Sequence, residues 1–159
     1  MFDVSKDVRP QLDEVDRQML RHLQTDARVT NSDLAARVGI AASTCHGRLR
    51  RLRELGVIRG FFADVDPAAV GRPLRAMVAV SLQSDARGQI RQFVAEITGH
   101  DEVIDVFFLA GSDDYLLHVA TADTETLRRF VEMLNSRREV AGTTTSLVFD
   151  HRRGDAPIY

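Results

Sequence analysis

The chain has 159 residues, 44% of them hydrophobic and 28% charged, with a formal net charge of −2. That composition suits one globular domain or two small ones, and no apolar run approaches the roughly 18 residues of a membrane span. The start, "MFDVSKDVRPQ", lacks the apolar centre of a secretory signal, and the single cysteine, Cys45, excludes an internal disulfide; both point to the reducing cytoplasm.

In chain order, residues 13–24 read as a first helix, with Asp13 as N-cap and Val15, Met19, Leu20 and Leu23 along one face. A second helix fits 31–38, opened by Thr30 with Asp33 three residues on, a capping box that uses Asp in place of Glu. Gly39 suits the left-handed residue that ends it. A third helix fits 42–55 and stops at Gly56. The last two helices are joined only by "GIAA", the spacing of a helix-turn-helix.

The third helix carries the charge anomaly. Residues 43–59 hold five arginines and one acid in a chain that is negative overall. At 100° per residue, Cys45, Leu49 and Leu52 form the buried stripe, flanked by Arg48 and Arg53. Ser43, Gly47, Arg50 and Glu54 lie opposite, with Thr44, His46 and Arg51 beside them. Small polar residues near the start and cations further along are what a recognition helix needs in order to reach base edges and phosphates. A solvated surface helix is the plainer reading. Against it, like charges three apart (Arg48 with Arg51, Arg50 with Arg53) oppose the helix by a few tenths of a kcal/mol each. Gly47 costs roughly 1 kcal/mol against alanine in a helix interior. Either its missing side chain lets the backbone approach a groove, or the position is simply weak.

After Gly56, "VIRGFFADVD" (57–66) reads as a strand closing the first domain, and "PAAVGRP" as a linker punctuated by Gly71 and Pro73. Further on, the pattern gives a strand at 75–83, a helix at 87–98, strands at 103–110 and 115–121 around the turn "GSDD", a helix at 124–137 and a strand at 143–150. This β-α-β-β-α-β order is the ferredoxin-like plan. Two amphipathic helices would cover one sheet face. The other, carrying Met77 and Phe107, would be left for a second copy to cover. The expected class is α+β: a helix-turn-helix, winged-helix-like domain (1–57), a connecting strand and linker (58–74), and a ferredoxin-like domain (75–159).

Three stretches, "LDEVDRQMLRHLQTDARVTNSDLAARVGI", "RLRRLRELGVIRGFFADVDPAAVG" and "LAGSDDYLLHV", together resemble the Lrp/AsnC family of transcription regulators across about residues 12–150. The resemblance implies contact with double-stranded DNA through Ser43, Thr44, His46, Gly47, Arg50 and Arg51, with Arg48 beside them. It implies a homodimer that assembles further, an octamer being the expected size. It also implies a small effector, an amino acid or related metabolite, at Gly111, Ser112, Asp113, Asp114 and Tyr115 and at Thr143 and Thr145. There glycine would permit a tight turn and close ligand approach, and a carboxylate would pair with an α-ammonium.

Two positions depart from the family pattern. Ala41 stands where a serine commonly caps the third helix, so that cap is lost or moved to Ser43. Asp113 replaces a bulky residue; either it favours a cationic effector such as lysine or arginine, or it faces solvent. No cofactor, metal or catalytic residue is expected. The five histidines show no ligand spacing, Cys45 fits a core thiol better than a redox sensor, and His118 reads as a sheet-face histidine. The alternatives are a siroheme-decarboxylase-like enzyme of the same architecture, which would need a heme-like pocket and catalytic histidines, and a stand-alone amino-acid-binding module.

Overall fold

The computed structural model describes residues 10–84, 90–152 and 154. The chain divides into two compact units at Asp64/Val65.

The first unit is a three-helix domain: α1 (Glu14–Thr25), α2 (Asn31–Val38) and α3 (Ala42–Glu54). Local signals set its boundaries. Asp13 caps α1, accepting from the Asp16 N–H at 2.8 Å, while Asp16 reaches back to the Asp13 N–H in a reciprocal box. Thr30 caps α2 through the Asp33 N–H, and its hydroxyl donates to the Asp33 carboxylate at 2.8 Å. Gly39 ends α2 at φ 71°, a conformation only glycine adopts without strain. Ala41 offers α3 no side-chain cap, so the serine cap is absent here and is not replaced. Met19, Leu23, Leu34, Ala35, Val38 and Cys45 form the core, with Leu49 and Ile58 packed on it. Burial pushes the Cys45 thiol pKa up, which suits a core thiol.

The expected strand at 57–66 does not form: those residues lie outside any helix or ladder, and Phe61, Phe62 and Val65 stay exposed. A strand exists only through hydrogen bonds to a neighbour, and no edge of this chain pairs with it among the described residues. A short 3₁₀ turn, Ala68–Val70, closes on Gly71 at φ 83°.

The second unit contains β1 (Leu74–Leu82), α4 (Ile90–Ile97), β2 (Val103–Phe108), β3 (Tyr115–Thr121), α5 (Thr124–Asn135) and β4 (Val140–Val148). The expected start of α4 at 87 falls outside the described residues, and β4 begins and ends earlier than its apolar pattern suggests. The sheet order is β2-β3-β1-β4, antiparallel throughout. This is the ferredoxin-like arrangement. Phe93 and Ile97 of α4 and Leu127, Phe130 and Leu134 of α5 pack on Ala76, Val78, Val80, Leu117 and Val119. The residues between these on each strand face the other way: Met77 opposite His118, and Phe107 opposite Leu116. Both helices of this unit pack on the first face, and among the described residues Phe107 on the second face stays exposed.

Candidate DNA interface and effector loop

The turn from α2 to α3 is tightly fastened. The Ile40 N–H donates to the Ala35 carbonyl at 3.0 Å, and the Asn31 amide donates to the Ala42 carbonyl at 2.8 Å, tying the start of α2 to the start of α3. On α3, Cys45 and Leu52 are buried and Leu49 is half-buried, while Ser43, Thr44, His46, Arg50 and Arg51 are exposed. An added Cβ at Gly47 would meet nothing within 4 Å, and its φ is not positive. Among the described residues, neither packing nor backbone geometry demands glycine there.

The arginines divide into two groups, a division that helical projection does not reveal. Arg48 is half-buried and donates to Asp13 at 2.7 Å and to Asp16 at 2.8 Å. Arg51 donates to Asp16 at 3.1 Å and to the Gln11 carbonyl at 3.1 Å. The Asp16 side chain is 1% exposed, so one sunken carboxylate receives two guanidinium groups from α3. The Asp16 N–H and then Arg48 hold the Asp13 carboxyl below its ordinary pKa, and Asp13 and Asp16 hold Arg48 above its own. Among the described residues Arg50 pairs only with Glu54, at 3.6 Å between exposed groups, a contact worth little. Arg53 forms no ion pair among the described residues.

In the second unit, Asp114 is built into the sheet. Its carboxylate accepts the Leu82 N–H at 2.7 Å, its N–H donates to the Val80 carbonyl, and its carbonyl accepts from Leu109. Asp113 accepts from the hydroxyls of Ser81 and Ser112 at 3.1 and 3.2 Å. Neither carboxylate has a cation beside it among the described residues. Tyr115 is a core side chain, packed 5.6 Å from the Phe93 ring and 5.3 Å from Phe108; burial first and Asp114 second raise its pKa. Gly111 does not use a positive φ, so the turn does not need glycine, but open space adjoins it. Val80 on β1 pairs with Tyr115 on one side and Thr143 on the other. The loop and the start of β4 therefore share one end of the sheet. The Thr143 hydroxyl donates to Asn135 at 3.1 Å, and Thr145 is exposed two residues on.

Sequence reasoning missed Asp16 and Ser81. The Asp13-x-x-Asp16 box was a visible signal for a cap, but nothing in the spacing shows that the same carboxylate reaches α3. Among the described residues, no three His, Cys, Asp or Glu side chains are grouped to hold a metal, and no helix is long and apolar enough to cross a membrane.

An exposed, partly cationic helix presented by a tight turn, joined in one chain to a ferredoxin-like ligand domain, defines a DNA-binding transcription regulator of the helix-turn-helix class. Residues 12–53 match the AsnC-type helix-turn-helix domain and residues 75–156 the Lrp/AsnC ligand binding domain. The chain belongs to the Lrp/AsnC family. It is 63% identical over 156 residues to the HTH-type transcriptional regulator AldR of Mycobacterium tuberculosis, covering 97% of this chain and 87% of that protein. The crystal structure of the M. tuberculosis AldR superposes with a TM-score of 0.81 at 56% identity, covering 94% of this chain and 100% of that one. A Neisseria meningitidis transcriptional regulator, solved as its complex with L-Met, superposes with a TM-score of 0.84 at 31% identity, covering 93% and 97%. These relatives are regulators, and the enzyme alternative is set aside on that ground.

Proposed function

We propose that α3 enters the major groove of duplex DNA with Ser43, Thr44 and His46 facing base edges, Gly47 against the groove wall and Arg50 on phosphate. The observation that carries this reading is the exposed polar face of α3, held behind the Gly39 turn, with a glycine at 47 whose added Cβ would meet nothing among the described residues. Two such heads on a dimer would engage successive grooves, one helical turn or a multiple apart. The protein acts in the cytoplasm and assembles through its uncovered sheet face into a dimer and then a higher oligomer, an octamer.

The effector is a free amino acid bound at the Gly111–Tyr115 loop near Thr143 and Thr145. Asp113 and Asp114 favour its α-ammonium, since among the described residues only neutral donors stand beside their carboxylates. A lysine or arginine effector would add a second cation to the same pair. Ligand binding shifts how dimers assemble and so the spacing of the heads, with a coupling of about 1–3 kcal/mol typical of such linkage.

The test is DNA binding to the region upstream of the protein's own gene, with and without each free amino acid, with oligomer size followed by sedimentation. Arg50→Ala weakens binding and leaves sedimentation unchanged. Tighter calorimetric binding of leucine than of lysine would remove the cationic preference, and no response to any amino acid would remove the effector reading.

A further inference from the structure

The charge of α3 is smaller, seen from outside, than its sequence suggests. Of the four arginines on the helix, Arg48 and Arg51 are turned toward α1, and their guanidinium groups converge on Asp16. That carboxylate is 1% exposed and sits in the first turn of α1, so it cannot follow the arginines outward. Asp13, as the cap of the same helix, takes a second bond from Arg48. Arg51 has a further anchor on the Gln11 carbonyl. The remaining two, Arg50 and Arg53, are exposed, and among the described residues they have at most one weak exposed partner.

We infer that Asp16 is a positioning residue for DNA recognition: it holds Arg48 and Arg51 against α1 and leaves phosphate pairing on this helix to Arg50 and Arg53. This inference rests on the DNA-binding reading of α3. Holding two side chains on successive turns fixes both the rotation of α3 about its axis and its tilt on α1. It also limits the counterions that docking can release. Each phosphate contact adds about 0.9 to the slope of log affinity against log salt, so the number of arginines in use is measurable. A helix using all four would be steeper by nearly two per head than one using two.

The experiment is fluorescence anisotropy of the full chain on a labelled mixed-sequence duplex over a salt series. It compares wild type with Asp16→Asn, Arg48→Met, Arg51→Met and Arg53→Met, and thermal melts confirm folding. Arg53→Met lowers the slope by about 0.9 per head. Arg48→Met and Arg51→Met lower the affinity severalfold at every salt concentration, leaving the slope parallel to wild type. Asp16→Asn raises the slope by about 0.9 per head, because it leaves Arg51 only the neutral Gln11 carbonyl while Arg48 keeps Asp13. A merely structural Asp16 would lower affinity without moving the slope, and that result overturns the inference. So does a slope that falls in Arg48→Met or Arg51→Met as it does in Arg53→Met. Should Asp16→Asn fail to fold, the two methionine variants decide, since each leaves Asp16 one partner. Absence of any binding by the wild type at low salt would instead defeat the DNA reading of α3 itself.

Discussion

Gly47 separates a demand of the fold from a demand of the partner. A mid-helix glycine is worse than alanine by roughly 1 kcal/mol, and the space beside it is open. Gly47→Ala should therefore stabilise the protein by up to about 1 kcal/mol, seen as a raised melting temperature, while weakening DNA binding. A variant that melts higher and binds DNA as well as wild type would make the glycine a tolerated weakness. Asp114 shows the opposite balance. Its carboxylate closes the end of β1 through the Leu82 N–H, so part of its role is structural even where an effector also uses it.

Among the helices, capping and cross-bridging carry an acid dependence. Asp13 lies below its ordinary pKa of 3.8 through the Asp16 N–H and Arg48; Asp123, cap of α5, is lowered mainly by the Thr126 N–H. Glu96 on α4 is lowered by its hydrogen bond from Arg137, whose cation also lies 5.4 Å from the Phe93 ring centre. Groups depressed in the folded state contribute stability that is complete above their unfolded values and is lost as pH falls through the folded ones. Melting temperature should thus hold down to about pH 5 and fall progressively below it. Asp13→Asn keeps a capping oxygen but flattens part of that fall; an identical acid profile in this variant would remove Asp13 from the account.

For the molecule as a whole, the proposed dimer uses the second sheet face. Phe107, 47% exposed, pairs with Leu116 on the face that also carries Met77. The same face carries a polar cluster in which His118, 9% exposed, sits between Asp105 at 3.3 Å and Arg75 at 3.1 Å. An apolar face of this kind is an unfinished core. Phe107→Arg should shift the protein toward monomer in sedimentation velocity and weaken DNA binding by uncoupling the two heads. An unchanged oligomer would exclude this face from the interface.

The sequence by itself determined the elements and their order, because caps, breakers and helical or alternating periodicity are written in neighbouring residues. Asp13, Thr30 and Gly39 end their helices for local reasons, and Phe93–Ile97 and Leu127–Leu134 announce their buried faces by spacing alone. Family membership was legible in the same way, from "LDEVDRQML" to "LAGSDDYLLHV". Only tertiary structure decided which charges are available. Arg48 and Arg50 look alike in sequence, yet one faces a carboxylate 32 residues away and the other faces outward. The strand expected at 57–66 failed for the same reason: a ladder needs an edge to pair with, and apolar content cannot supply one. Pairing between distant residues is set by how elements pack, which no short-range pattern records.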